Sequence, residues 1–234
     1  NWMSLPGLEY TMNDLVKVNI AKVFEVALQD MREHSEVGKY STSTLYIVFM
    51  DHLCRAVHTA AEGIRFHLKN QKYNEPELVL NLLSHGPLEK GLDVSDGGAT
   101  YYNLAIDGAG LAIAADSFAA IEQRIEREGK LSWQMLFAVL DTNFASEEGK
   151  RIQRLLQNSA KYGQGQTVAD EWAGKIAEDF TNLVRKESDQ VKGHLFIPGF
   201  FSWANTLEFG EAVGATPNGR AKGYPISHGA NPCP

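Results

Sequence analysis

One residue whose type and position could do chemistry is Asp14, which comes directly before a run of helically spaced apolar residues. An aspartate in that position can be the N-cap of the helix, where it adds about 1 kcal/mol to stability. It can also be a site carboxylate, because the dipole of the helix favours its ionised form. Spacing alone favours the cap and leaves the role in a site open.

A second candidate is the stretch FFSWANTLEF at 200–209, which is aromatic and rich in residues typical of strands. In a strand, alternation would place Phe201, Trp203 and Asn205 on one face. That face could be core, or it could be the inward face of a barrel strand, where an amide among aromatic rings lines a small pocket. The pattern does not separate these two interpretations.

Metal, nucleotide and serine-hydrolase sites have little support in the sequence. Seven histidines occur, but His52 and His58 are six residues apart and neither HExxH nor CxxC is present, so we expect no metal site. No GxSxG motif occurs either. The GAGLA segment at 108–112 lacks the third glycine of a dinucleotide fingerprint. We predict that Gly108 and Gly110 serve close packing against a helix.

The composition predicts a soluble, cytoplasmic protein that binds neither nucleic acid nor a membrane. The net charge is −7, and no apolar run of about 18 residues is present. The two cysteines, Cys54 and Cys233, lie far apart and form neither a CxxC pair nor a disulfide framework. Because the first residue is not Met, we expect the chain to be a segment of a longer protein.

Helical periodicity dominates the chain. We predict helices over these segments: 14–34, 43–69, 112–128, 132–143, 147–157 and 167–186. Residues 77–83 fit a short helix or a buried strand, 84–103 a long ordered loop that leads into a strand, and 196–209 one or two strands. Because helices separate the strands, we expect parallel pairing and an α/β fold, either a barrel or a doubly wound sheet.

Four stretches resemble motifs of the glycyl radical enzymes, the family of pyruvate formate-lyase, glycerol and diol dehydratases, choline lyase and arylacetate decarboxylases. NIAKVFEVAL at 19–28 resembles NLAKVLELAL, and 91–121 is similar to GLD-S-GGARYN followed by GVGLADVADSLAAI. LLQNSAKYG at 155–163 is close to LLLNAPKYG. Residues 198–227 parallel PG-YS, then FG, then GA-PDGRKAGEP-S. Because the four motifs follow the family's order, the resemblance is specific, and it covers nearly the whole chain.

The resemblance implies a fold that this chain supplies only in part. The family forms a barrel of ten strands ringed by helices and built as two half-barrels. We therefore expect residues 1–234 to be a single segment of that barrel domain, part of an α/β half-barrel. The glycine- and proline-rich stretch 214–234 is expected to be an ordered loop, as in the family. The thiyl cysteine and the radical glycine are expected outside the segment, and neither Cys54 nor Cys233 matches the thiyl position.

The resemblance also implies which residues contact the substrate. The Trp-His-Asp of the diol dehydratases falls on residues 12–14, so the aspartate that helps bind a substrate hydroxyl is kept. The tyrosine of PG-YS falls on Phe201, which lacks the hydroxyl, and these departures imply a bulkier or more apolar substrate. The expected substrate-binding residues are Asn13, Asp14, Phe201, Trp203 and Asn205. No catalytic residue and no metal ligand is expected in the segment.

The implied chemistry is that of an organic radical used in anaerobic metabolism. A partner activase, which uses S-adenosylmethionine and an iron–sulfur cluster, installs the glycyl radical, and a cysteine thiyl then abstracts hydrogen from a small-molecule substrate. A neighbouring bond breaks with the help of a carboxylate. The enzyme is expected to bind no organic cofactor and to form a homodimer.

Within the family we favour a lyase or dehydratase that cleaves a C–O or related bond of a small hydroxylated substrate. The aspartate match at Asp14 supports this choice. Formate acetyltransferase, arylacetate decarboxylase and fumarate-adding synthase activities stay open. A non-catalytic, truncated paralogue that serves as a binding or structural subunit is the remaining alternative.

Overall fold

The computed structural model describes residues 11–12, 15–34, 36, 39–188, 195–202 and 205–233, and this part of the chain is mainly helical. The strands are β1 (Thr11–Met12), β2 (Leu15–Asn19), β3 (Tyr101–Ala109) and β4 (Leu195–Phe200). The helices are α1 (Ile20–His34), α2 (Thr42–Asn74), α3 (Leu78–Leu83), α4 (Pro87–Lys90), α5 (Leu111–Ile121), α6 (Trp133–Asp141), α7 (Glu147–Gln157), α8 (Val168–Ser188) and α9 (Asn205–Glu211). A wider helical turn, 122–127, extends α5.

The chain forms two compact units. The first comprises Asn1–Val18, Ala56–Asp107 and Thr181–Gly199. The second comprises Asn19–Arg55, Gly108–Phe180 and Phe200–Pro234. Within the described residues, no helix combines the length and the apolar content that a membrane span requires.

The first helix begins six residues later than its periodicity predicts. Residues 15–19 are strand β2, because LVKVN alternates and carries two β-branched valines. Helix α1 begins at Ile20, and its N-cap is Asn19, whose Oδ1 accepts a hydrogen bond of 3.0 Å from Lys22 N. The interpretation of Asp14 as the cap is therefore wrong. Asp14 itself lies outside the described residues.

The other predicted helices are confirmed, with small shifts at their ends. Helix α2 extends to Asn74, and residues 77–83, which fitted either a helix or a strand, contain the exposed helix α3. Side chains cap three of the later helices as expected for Ser and Thr. Ser132 Oγ accepts from Met135 N, and Ser146 Oγ accepts from Gly149 N. At α8, Thr167 Oγ1 accepts from Asp170 N while Asp170 Oδ2 accepts from Thr167 N, a reciprocal box.

The strands form one four-stranded sheet with β3 at its centre. The order is β1-β3-β2, and β4 also pairs with β3. Strands β1 and β3 are parallel, with Thr11 opposite Tyr101 and Met12 opposite Tyr102. The predicted parallel pairing is thus confirmed for this pair.

The loop that leads into β3 is ordered, as predicted. Its turn at Val94–Gly98 is held to the strand by Tyr102, whose hydroxyl donates to Val94 O at 2.8 Å and accepts from Gly97 N at 2.6 Å. Lys90 Nζ donates to the carbonyl of Gly98 at 3.0 Å. These bonds position the start of the central strand.

Strand β4 is held in the first unit by the C-terminal end of α8. Glu187 accepts from Arg65 Nη2 at 2.8 Å, and its Oε1 lies 2.9 Å from His58 Nδ1. The Arg65 guanidinium also lies over the Phe196 ring, 5.5 Å from the centroid. Ser188 Oγ accepts from Phe196 N at 2.9 Å. Together these contacts fix one face of β4 against α2.

The core of the second unit is aromatic and places α1 against α5. Phe24 meets Phe118 edge-on with ring centroids 4.9 Å apart, and Trp172 stacks on Phe118 at 4.6 Å. The close packing predicted for the GAGLA glycines is confirmed. A Cβ on Gly108 would stand 2.5 Å from Ile20 Cδ1, and one on Gly110 would stand 3.0 Å from the Cβ of Ala21.

The stretch after 214 is an ordered loop, which confirms the expectation drawn from the family. The Arg220 guanidinium is its centre: Nη2 donates to Gly210 O and Nη1 to Gly214 O, both at 2.7 Å. Its Nε donates to Tyr224 O at 3.0 Å. One buried side chain therefore satisfies carbonyls that a glycine- and proline-rich stretch would otherwise leave unpaired.

Candidate functional site

The two faces of β3 differ in polarity. Leu104 and Ile106 are fully buried on one face. The alternate positions, Asn103 and Asp107, give the other face its polar character. Both faces of β3 are largely buried, and the face that carries Asn103 and Asp107 is the polar one.

Strand β2 adds a cation to this polar face. Lys17 alternates with Val16 and Val18, of which Val18 is buried. The charge of Lys17 acts on the Asp107 carboxylate. We define the polar strand face as Lys17, Asn103, Asp107 and Gly199.

Gly199 of β4 makes room for the Asp107 carboxylate. A Cβ built on Gly199 would stand 2.2 Å from Asp107 Oδ1 and 3.4 Å from its Cγ. No residue with a side chain fits there without displacing the carboxylate. The glycine of the PGF segment therefore has a specific consequence for the position of Asp107.

Asp107 is the buried titratable group of this face. It is only 5% exposed, and burial raises the pKa of its carboxyl, with the charge of Lys17 acting in the opposite direction. Among the described residues no donor makes a hydrogen bond to it. A buried carboxyl to which none of the described residues donates is able to bind a polar ligand group or to exchange a proton with it.

Sequence reasoning missed Asp107. The signal that could have identified it is a single acidic residue inside the otherwise apolar segment LAIDGA of a central strand. Such residues are almost never fully buried unless they are paired.

The segment after β4 carries Phe201 and meets the C-terminal loop. The Phe201 ring lies edge-on to the His228 ring, with centroids 6.2 Å apart. Ser202 is fully buried, and its Oγ accepts from Gly229 N at 2.8 Å. His228 is a second residue that the sequence analysis missed, because it is brought to Phe201 only by the ordered loop.

The predicted alternation of Phe201, Trp203 and Asn205 on a strand face is wrong. Strand β4 ends at Phe200, and Asn205 is the first residue of helix α9, so a period of two residues does not continue through the segment. Asn205 Nδ2 donates to Glu208 Oε2 at 3.2 Å within that helix. Asn13, Asp14 and Trp203 lie outside the described residues.

Neither cysteine has the environment of an activated thiol. Cys54 is exposed on α2. Cys233 lies beside Asp116 and accepts a weak hydrogen bond from Asn218 Nδ2 at 3.7 Å. Burial raises the pKa of the Cys233 thiol, and the Asp116 carboxylate raises it further. The thiol is therefore held in its protonated form.

Comparison with known proteins places this geometry in a family. The trans-4-hydroxy-L-proline dehydratase of Clostridioides difficile is 33% identical over 146 residues, which are 62% of this chain and 18% of that protein. An isethionate sulfite-lyase of Bilophila wadsworthia (strain 3_1_6) is 32% identical over 126 residues, 53% of this chain and 14% of that protein. The crystal structure of the C. difficile hydroxyproline dehydratase, with trans-4-hydroxy-L-proline bound, superposes with a TM-score of 0.82 at 26% identity, over 93% of this chain and 29% of that one.

This chain thus spans less than a third of the length of these relatives. Their fold confirms the prediction of a partial α/β barrel that is mainly helical with few strands. The family described as "Pyruvate formate lyase-like" matches residues 1–210. The chain therefore belongs to the pyruvate formate lyase-like family of glycyl radical enzymes.

Proposed function

We propose that this chain is a segment, over residues 1–234, of the barrel domain of a glycyl radical lyase or dehydratase. The intact enzyme cleaves a C–O or related bond of a small hydroxylated substrate after a thiyl radical abstracts a hydrogen atom. The names of its relatives support this class, since they include a dehydratase and a sulfite-lyase. A sulfite-lyase also keeps C–S cleavage within the proposal.

The observation that carries the proposal is the polar strand face. A barrel interior needs few polar groups, and each must serve a bound molecule or an internal partner. Here a buried carboxyl lies on the polar face of the central strand, and the charge of Lys17 on β2 acts on it. These groups suit a small molecule with hydroxyl groups better than an apolar one.

The residues of this chain bind and orient the substrate in this proposal. The substrate-binding residues are Asn13, Asp14, Phe201, Trp203 and Asn205. The ring of Phe201, half-buried beside His228, supplies an apolar wall that excludes water. The radical residues of the intact enzyme supply the hydrogen abstraction when they are activated.

The partners follow from the family. A radical-SAM activase with an iron–sulfur cluster installs the glycyl radical, and the enzyme itself binds no organic cofactor. We further propose a cytoplasmic homodimer that functions in anaerobic metabolism and contacts neither nucleic acid nor a membrane.

Arylacetate decarboxylase activity is the second candidate. The edge-on contact of Phe201 with His228 favours it, because an aromatic substrate can join such a pair of rings. In that case substrates with an aromatic ring and a carboxylate would be consumed, and polyols would not.

The proposal is tested first by the mass of the purified protein under denaturing conditions. A mass several times that of 234 residues identifies the full enzyme, which is then activated with its activase. Electron paramagnetic resonance reports the glycyl radical. Turnover is assayed with glycerol, propane-1,2-diol, trans-4-hydroxy-L-proline, isethionate and phenylacetate derivatives. The lyase or dehydratase proposal would be contradicted by a measured mass that equals that of the 234-residue chain. It would also be contradicted by an enzyme that forms the radical and turns over phenylacetate derivatives alone.

A further inference from the structure

The Asp107 carboxyl differs from the well-paired carboxylates of this chain. Several of those carboxylates are satisfied by donors. Asp93, for example, accepts from Ser95 N, Asn81 Nδ2 and Glu77 N at 2.7 to 2.9 Å. Asp107 is more buried than most aspartates, yet none of the described residues donates to it. A buried carboxyl gains stability from a hydrogen-bonding partner, and a polar group of a bound molecule can supply one to Asp107.

The backbone beside Asp107 is shaped to keep the carboxyl in place. Gly199 leaves the volume that Oδ1 occupies, since any Cβ there would approach that oxygen to 2.2 Å. On the other neighbouring strand, Lys17 is the charged group of the described residues that acts on it. On β4 the neighbour of the carboxyl is thus a glycine, Gly199, and on β2 it is a cation, Lys17.

The Asp107 carboxyl is suited to bind a neutral polar group of a substrate. Burial raises the pKa of the Asp107 carboxyl, and the charge of Lys17 acts in the opposite direction. In its protonated or its ionised form the carboxyl makes a hydrogen bond with an alcohol, which is both donor and acceptor. A sulfonate or carboxylate group of a substrate would instead be repelled by the ionised form.

We infer that Asp107 is a substrate-binding and specificity-determining residue that holds a hydroxyl group of the substrate against the polar strand face. Gly199 is the positioning residue that admits its carboxyl. The inference rests on the proposed function and adds to it the substrate class, a compound with at least one hydroxyl bound by a carboxyl of the barrel interior.

The test uses the activated full-length enzyme and the matched pair glycerol and propane-1,2-diol, together with trans-4-hydroxy-L-proline and isethionate. For a substrate that turns over, Asp107→Ala is expected to raise KM by about tenfold to a hundredfold, the loss of a hydrogen bond to a charged or buried partner. Asp107→Asn keeps an acceptor and a donor, and is expected to stay within a few-fold of the wild type. The radical yield in electron paramagnetic resonance is expected to be unchanged in both.

The preference of the enzyme for a hydroxylated substrate over its deoxy analogue distinguishes a substrate-binding role of Asp107 from a purely structural one. A site that bonds a hydroxyl discriminates against the analogue without it. Asp107→Ala is expected to lower the ratio of kcat/KM for glycerol over propane-1,2-diol, which a structural role would leave unchanged. The matched control is Asp141→Asn, an exposed aspartate on α6 that pairs with Arg32, and it is expected to behave as the wild type.

The outcomes distinguish the two proposals. A wild type that turns over these hydroxylated substrates while Asp107→Ala keeps its KM and its substrate preference overturns this inference alone. A wild type that forms the radical but turns over none of them overturns the proposed function, and this inference with it.

Discussion

The carboxylate of Asp107 occupies the space that a side chain at position 199 would need, because a Cβ on Gly199 would stand 2.2 Å from Asp107 Oδ1. The two residues lie on β3 and β4, two strands that are far apart in sequence and pair in the sheet. Their complementarity makes each residue a constraint on the other.

Gly199→Ala is expected to lower the free energy of unfolding by about 1–3 kcal/mol, since overpacking forces the carboxylate from its position. Thermal and urea unfolding of the purified protein measure this. The double variant with Asp107→Ala is expected to be less destabilised than the sum of the two single variants, because the clash is removed. Gly174→Ala is the control: its Cβ meets nothing within 4 Å on α8, so a gain of about 0.5–1 kcal/mol is expected. If the effects of Gly199→Ala and Asp107→Ala on the free energy of unfolding were additive, the contact between the two residues would be contradicted.

The buried Arg220 is expected to hold the C-terminal loop in place. Arg220→Ala removes the donors of the carbonyls of Gly210, Gly214 and Tyr224. A loss of about 3 kcal/mol or more in the free energy of unfolding follows, because buried acceptors become unsatisfied. Limited proteolysis is expected to cut within 214–233 in this variant.

The control for this variant is Arg151→Ala, an exposed arginine on α7 that pairs with Glu148. Its effect is expected to stay within about 0.5 kcal/mol, as for other surface pairs. If Arg220→Ala were as stable and as protease-resistant as this control, the loop would not depend on the guanidinium.

The pH dependence of stability is expected to carry a contribution from Asp107. Its pKa in the folded protein is raised above the ordinary value of 3.8 by burial, so the folded state binds its proton more tightly than the unfolded state. The resulting stabilisation is fully present below 3.8 and is lost as the pH rises through the folded pKa. Asp107→Asn removes this contribution, so the wild-type melting temperature relative to the variant should fall as the pH rises above 3.8. A difference independent of pH would show that the folded pKa is not raised.

Variants of Asp14 and Asn19 are expected to distinguish a substrate-binding residue from the N-cap of α1. Asn19→Ala is expected to lower the free energy of unfolding by about 1 kcal/mol or more, because Asn19 caps α1 and its Nδ2 also donates to Phe209 O at 3.1 Å. Asp14→Asn is expected to leave the melting temperature near that of the wild type and to lower turnover, because Asp14 is a proposed substrate ligand and not the cap. Loss of stability in Asp14→Asn with full activity would reverse the assignment.

Local sequence patterns predicted the helices well because their determinants are local. In α6, α7 and α8 the cap residue and the apolar stripe lie within one segment, so spacing alone marks both ends. The prediction failed at Leu15–Asn19, where a five-residue strand adjoins the helix and the apolar residues of both merge into one pattern. The prediction for 201–205 failed for a related reason. An aromatic run is typical of a strand, and the pattern does not show at which residue the strand ends.

The sequence by itself determined most of the helices, the close packing of Gly108 and Gly110, and the family, because short motifs in a fixed order carry that information. Only the tertiary structure decided that Asp107 is buried, that Gly199 admits its carboxylate, and that His228 meets Phe201. The physical reason is that burial and hydrogen-bond satisfaction depend on strands and loops that are distant in sequence. No spacing rule within one segment encodes such contacts.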